Sequence, residues 1–233
     1  MQEMNNFLTA EDILFHLSNL KQLTFEVTDA CNLKCKYCAY GEFYNDYDKR
    51  EDKYLPVHKA IKVIDYLNEF WKSSKNISFK QNTYIGFYGG EPLLNMPFIE
   101  QIVEHIENLK TPQKFTFAIT TNAMLLHKYM DFLAEKQFNL LISLDGNEFN
   151  TSYRVNHSNK PAFRQIMKNV DLLRTTYPDY FAGQVNFNAV LHNRNSVGDI
   201  YTFFKEHFDK IPTIGELNDS GIKPRPFAFV MRK

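Results

Sequence analysis

Residues 23–38 read Leu23-Thr24-Phe25-Glu26-Val27-Thr28-Asp29-Ala30-Cys31-Asn32-Leu33-Lys34-Cys35-Lys36-Tyr37-Cys38. Leu23 to Val27 is rich in apolar and β-branched residues and predicts a strand. From Thr28 to Pro56 the chain then shows no clear helical or strand period. A loop this long inside a compact domain is usually functional. All three cysteines of the chain lie in it, spaced C-x3-C-x2-C. An odd number of cysteines packed so tightly gives no disulfide framework. In a reducing compartment such a group reads as metal ligands or redox thiols.

Downstream of the loop, strand and helix patterns alternate. Val57 to Trp71 predicts a helix, with Val57, Ala60, Ile61, Ile64 and Leu67 on one face. Tyr84 to Tyr88 predicts a strand. Pro97 suits the first turn of a helix whose stripe is Ile99, Ile102, Val103, Ile106 and Leu109. Strands follow at 115–120, 140–144 and 185–191, and helices at 124–135 and along Phe163, Ile166, Met167, Val170 and Leu173. Ser196 opens a further helix, with Asp199 three residues on in a capping position. A last β segment falls near 211–216, weakened by Pro212 and Gly215. Five or six βα units in a row argue for a parallel sheet with helices outside. Six units make a barrel open on one side, since a closed eight-unit barrel usually needs about 250 residues. A doubly wound sheet shows the same periodicity. In either architecture ligands bind at the C-terminal ends of the strands, and the cysteines lie just there.

The chain has 233 residues, enough for one α/β barrel-type domain. Its 27 basic and 27 acidic residues cancel, so no global field favours nucleic acid. No apolar run is long enough to span a bilayer. The start, Met1 to Leu17, lacks the basic and apolar regions of a signal peptide. A cytoplasmic protein with neither a nucleic-acid nor a membrane partner is expected. The 21 Phe and 13 Tyr residues read first as a bulky core.

Three readings of the cysteines compete. Structural zinc usually takes four ligands, and only His58, at the start of a helix, follows within reach in sequence. A redox dithiol uses C-x-x-C alone and leaves Cys31 unexplained. An iron–sulfur cluster normally takes four thiolates; three leave one iron open to coordinate a small molecule.

The loop resembles the C-x3-C-x-aromatic-C signature of radical S-adenosylmethionine (SAM) enzymes, with Tyr37 as the aromatic. Three further stretches resemble motifs of that family in the same order. They are Phe87-Tyr88-Gly89-Gly90-Glu91-Pro92 (GGEP), Thr121-Asn122 (TNG) and Ile142-Ser143-Leu144-Asp145-Gly146 followed by Arg154. The resemblance spans about residues 23–191. It implies an α/β fold, a partial (β/α)6 TIM-like barrel, with 1–20 as an N-terminal extension, 21–215 as core and 216–233 as a C-terminal segment.

The same resemblance implies one 4Fe–4S cluster on Cys31, Cys35 and Cys38, with SAM chelating the fourth iron. A flavodoxin or ferredoxin would supply the electron, and SAM would yield methionine and a 5′-deoxyadenosyl radical. Gly89 and Gly90 would let the backbone approach the methionine part of SAM, and with Glu91 they would bind its ammonium. Ser143 would bond the SAM carboxylate or ribose, Arg154 the carboxylate in a fork, and Tyr37 would lie near the adenine. A residue of the fifth strand, around Asn188 to Val190, would touch the adenine through its backbone. Ala123 stands where the TNG motif has glycine, which predicts a different turn and gives Asn122 less weight. No role follows for His157.

The GGEP and ISLDG stretches resemble the SPASM branch, whose members include peptide maturases and anaerobic sulfatase maturases. That implies a peptide or protein substrate. Tyr88 and the Leu23–Ala30 lead look more like the peptide maturases. Members of the branch carry further cysteines in a C-terminal extension, whereas no cysteine follows Cys38 here. A truncated or partner-dependent cluster-binding subunit is therefore the alternative expectation.

Overall fold

The computed structural model describes residues 8–44, 50–218 and 220–223. The expected C-terminal segment thus lies mostly outside the described residues, as does the start of the N-terminal extension.

Six strands form one sheet: β1 (Gln22–Thr28), β2 (Asn82–Gly89), β3 (Lys114–Thr121), β4 (Asn139–Ser143), β5 (Val185–Leu191) and β6 (Thr213–Glu216). They lie in sequence order, and every neighbouring pair is parallel. This order separates the two architectures that periodicity left open. A doubly wound sheet reverses its strand order at a switch point. Here each crossover steps the same way, so the helices gather on one face and the sheet curls toward a barrel. β1 and β6 are its two free ends, and the barrel stays unclosed.

The helices are α1 (Ala10–Ser18), α2 (Val57–Trp71), α3 (Met96–Glu107), α4 (Leu126–Glu135), α5 (Phe163–Thr176), α6 (Pro178–Gln184) and α7 (Val197–Phe208). Strand alternation sorts the two faces of the sheet. Phe25, Val27, Ile85, Phe87, Ile119, Leu140, Ile142 and Phe187 are buried, in one core with Ile64, Ile99, Ile166 and Phe204 from the helices. The alternate positions Thr24, Glu26, Tyr84, Tyr88 and Asn186 are exposed. The concave face is thus an open groove of mixed polar and aromatic character, unlike the packed interior of a closed barrel.

The capping box expected at Ser196 and Asp199 is present, each side chain accepting from the other's backbone N–H. Two helices carried too little pattern to be expected. α1 is opened by a second capping box, Thr9 with Asp12. α6 has only seven residues, begins at Pro178, and buries Tyr180 and Phe181.

Candidate functional site

The cysteine loop leaves the C-terminal end of β1 and is tied down by backbone bonds. Lys34 N donates to Val155 O at 2.7 Å, Lys36 N to Tyr153 O at 3.0 Å and Cys38 N to Cys35 O at 3.2 Å. A Cβ on Gly41 would lie 2.5 Å from Cys35 O, so only glycine lets the loop fold back there. His157, without an expected role, bonds the Cys31 carbonyl through Nε2 at 2.8 Å.

The glycines of the second motif lie against the cysteine loop. A Cβ on Gly89 would meet Thr28 O at 2.2 Å, and one on Gly90 would meet Ala30 O at 2.1 Å. Gly89 also has φ +133°. Their freedom is needed for the end of β2 to lie directly on the start of the cysteine loop. Gly90 N and Glu91 N donate to Thr28 O and Ala30 O across that seam, at 2.8 and 2.9 Å.

Glu91 is fully buried. Its carboxylate accepts from Leu93 N at 3.1 Å, Thr121 Oγ1 at 2.7 Å and Asn122 N at 2.8 Å. The carboxylate therefore joins β2 to the turn after β3. Burial raises its pKa to about 7, against the opposing pull of those donors. Ala123 adopts φ +60°, so the turn keeps the left-handed form in which glycine is usual. The alanine is held there by Thr121 Oγ1 on its N–H, at 3.0 Å, and Asn169 Nδ2 on its carbonyl, at 2.8 Å. Asn122 is accordingly more central than its motif suggested. Its Nδ2 donates to Asn32 Oδ1 at 2.7 Å and lies 3.7 Å from Cys31 Sγ.

Asp145, at the end of β4, organises the other side. Arg154 grips it as a fork, Nε to Oδ2 and Nη2 to Oδ1, both at 2.9 Å. Tyr37 Oη donates to Oδ2 at 2.5 Å, and Val190 N to Oδ1 at 3.0 Å. His192 Nε2 lies 3.9 Å from Oδ2. Its Nδ1 accepts from Arg194 N at 3.1 Å, which places the ring proton on Nε2, toward Asp145. Burial pushes the Asp145 carboxyl up, but Arg154, His192 and Tyr37 outweigh it and hold it well below the usual carboxylate range. The fork of Arg154, expected on a SAM carboxylate, is thus already closed on a carboxylate of the chain. Only Nη1 carries no hydrogen bond among the described residues. Tyr37 is buried by the same contacts, with the Arg154 guanidinium 5.4 Å over its ring. Sequence reasoning treated Asp145 as one letter of a motif and missed it as a hub. A buried acid nine residues before an arginine was the available signal.

These parts enclose one cavity of about 400 Å³ at the C-terminal ends of the strands. Its wall includes all ten residues singled out in the sequence: Cys31, Cys35, Tyr37, Cys38, Gly89, Gly90, Glu91, Ser143, Arg154 and Asn188. Ser143 and Asn188 stand opposite each other on β4 and β5. The hydroxyl of Ser143 makes no hydrogen bond among the described residues. The Asn188 carbonyl accepts from Leu144 N at 3.0 Å, and the Asn188 side chain makes no hydrogen bond among the described residues. The volume lies in the usual range for small-molecule pockets. Tyr88 and Thr120 also border a larger groove of about 670 Å³ running down the concave face.

The donor set fits a cluster better than a single ion. Among the described residues no three His, Cys, Asp or Glu side chains converge as ligands of one metal. A four-iron cluster takes each thiolate on a different iron, so its ligands surround a volume. The three thiols are unpaired and half-buried around the cavity. Burial pushes the Cys31 thiol up and the Cys35 thiol up to about 12. Thiols this reluctant to ionise become thiolates when a metal cation supplies the compensating charge. Arg50 adds a positive charge at the rim, with Nη2 3.3 Å from Cys38 Sγ. Nothing in the local sequence around Arg50 marks it as part of the site.

The family model of the radical SAM superfamily matches residues 25–206. The chain belongs to that superfamily. It is 29% identical over 212 residues to the cysteine-type anaerobic sulfatase-maturating enzyme of Clostridium novyi (strain NT), covering 87% of this chain and 54% of the relative. It is likewise 29% identical over 182 residues to the serine-type anaerobic sulfatase-maturating enzyme of Bacteroides thetaiotaomicron, covering 76% and 41%. The solved structure of anSMEcpe with bound AdoMet and Cp18Cys peptide aligns with TM-score 0.67 at 21% identity, over 86% of this chain and 52% of that one. That alignment bears out the fold. The chain spans about half the length of the relatives it matches. Among the described residues no helix is long and apolar enough to cross a membrane.

Proposed function

We propose that this chain is a radical SAM enzyme that binds one 4Fe–4S cluster through Cys31, Cys35 and Cys38 and modifies a peptide or protein. The reading rests on the gathering of all ten candidate residues around one cavity at the strand ends. A cluster bound there would supply one electron to SAM, so that a C–S bond breaks to give methionine and a 5′-deoxyadenosyl radical able to take a hydrogen atom from the substrate. The chain's residues position and shield. The bonds from Gly90 N and Glu91 N fix the cysteine loop against β2, and Glu91 fixes Asn122 beside Cys31. Asp145 orients Arg154 and Tyr37, leaving Nη1 of Arg154 for the SAM carboxylate. Because Asp145 neutralises that arginine, Arg154 would hold the carboxylate by direction more than by net charge. Ser143 and the Asn188 side chain would bond the ribose or adenine. The groove along the concave face is wide and open and mixes polar with apolar residues, which suits an extended peptide. An electron donor of the flavodoxin or ferredoxin kind completes the cycle.

The names of the sulfatase-maturating relatives support the substrate class, and formylglycine formation at a Cys or Ser is one reaction within it. The test is anaerobic reconstitution with iron and sulfide, then dithionite and SAM, with assay for 5′-deoxyadenosine. A brown protein with about four irons that makes 5′-deoxyadenosine supports the proposal. A brown protein that makes none favours a partner-dependent cluster-binding subunit. A colourless zinc protein overturns it. Peptides bearing Cys or Ser then separate sulfatase-type from other peptide maturation.

A further inference from the structure

We infer that Arg50 is a positioning residue for the redox step, its guanidinium donating to Cys38 Sγ so that a cluster held there is more easily reduced. The inference rests on the cluster reading above and goes beyond it.

The guanidinium is held on three sides. Nη2 donates to Cys38 Sγ at 3.3 Å and Nη1 to the Asp29 carbonyl at 2.9 Å. The Tyr40 ring lies beneath it, with the guanidinium carbon 4.6 Å from the ring centroid. A planar fork is what such a site requires, because one rigid group reaches two acceptors and stacks on a third. Among the described residues no carboxylate forms an ion pair with Arg50, whereas Asp145 grips Arg154. The nearby Asp29 carboxylate accepts from Glu51 N and Lys53 N, both at 2.6 Å, so it bonds those backbone groups while its charge still faces Arg50. Arg50 therefore brings a positive charge and a directed N–H to a thiolate sulfur.

One-electron reduction adds one negative charge to the cluster and its thiolates, with no bond made or broken in the chain. The electron comes from an external one-electron donor, dithionite in the test. Hydrogen bonds to ligating sulfurs and nearby charge set such potentials. A positive N–H donor stabilises the more negative, reduced state. A purely structural Arg50 would pin Asp29 and leave the potential where it was.

The test is an anaerobic potentiometric titration without SAM, followed by electron paramagnetic resonance, on iron-loaded full chain. Arg50→Gln should make reduction about tenfold less favourable, a fall of ~59 mV for one electron. Arg50→Lys, which keeps the charge but not the fork, should fall between. Tyr40→Leu, which loosens the guanidinium, should move the midpoint the same way by a smaller step. An unchanged midpoint in Arg50→Gln and Tyr40→Leu at full iron content overturns the inference. So does an unchanged midpoint with weakened SAM binding, which would make Arg50 a SAM ligand. If Arg50→Gln does not retain iron, Arg50→Lys and Tyr40→Leu decide it by the same titration. A wild-type chain that takes up no iron instead overturns the cluster reading itself.

Discussion

Asp145 is fully buried and yet ionised, because groups from the cysteine loop, the segment after β4 and the end of β5 meet its two oxygens. Removing one partner of such a pair strands the other without compensation. Arg154→Met is expected to cost about 3–5 kcal/mol of stability, measured by urea denaturation. Adding Asp145→Leu removes the stranded charge. The double variant should be more stable than the sum of the singles by at least ~1 kcal/mol. Strict additivity would mean that the pair does not couple. Glu91 makes a second residue-scale prediction. Its folded pKa, about 7, stands above its ordinary 4.5. The folded state then binds more protons than the unfolded between those values. Its contribution is fully present below about 4.5 and is lost as pH rises toward 7. Stability measured at pH 5 and pH 7 should fall with pH, and Glu91→Gln should flatten that slope. An equal slope in the variant would assign it to another group.

At the scale of elements, α7 was legible because both ends of its logic are local. Ser196 and Asp199 cap each other's backbone, and its buried Ile200, Phe203, Phe204 and Phe208 follow helical spacing. Ser196→Ala should cost about 1 kcal/mol in chemical denaturation, without changing the fold seen by circular dichroism. A change below a few tenths would mean the cap carries no weight. α1 had the same local signal in Thr9 and Asp12, but its apolar residues Ile13, Leu14 and Phe15 remain substantially exposed, so its stripe marks no core. α6 is too short to display a period. The strand ends were read to within one or two residues, because alternation persists up to the last ladder bond. The turn at Ala123 was misjudged for a physical reason. A left-handed alanine costs roughly 1–2 kcal/mol, and the bonds that hold it come from Thr121 and from Asn169 on α5; the latter is invisible to local reasoning.

For the whole molecule, the main core lies between the sheet and its helices; the cysteine loop joins it through Leu33, Cys31 and Cys35 and also builds a small second cluster of Tyr37, Phe43, Tyr44, Tyr153 and Leu217. The loop is thus anchored by its backbone bonds and by Leu33 and Tyr37, while the three thiols themselves carry little of that packing. A variant with Cys31, Cys35 and Cys38 all changed to Ser should lose iron binding but keep a cooperative unfolding transition and its helical circular dichroism. Collapse of that transition would mean that the ligand loop holds the barrel together.

By itself the sequence determined the succession of strands and helices and the chemistry-bearing residues, because periodicity and motif spacing are properties of neighbours along the chain. It also carried the superfamily, through four motifs in order. Tertiary structure alone decided three things. It chose the barrel over the doubly wound sheet, since strand order is a relation between distant segments. It turned Gly89 and Gly90 into a seam with the cysteine loop, since only folding brings Thr28 O and Ala30 O against them. And it gave Arg154 to Asp145 and Arg50 to Cys38, since which partner a charge meets depends on where the chain returns in space, not on the residues beside it.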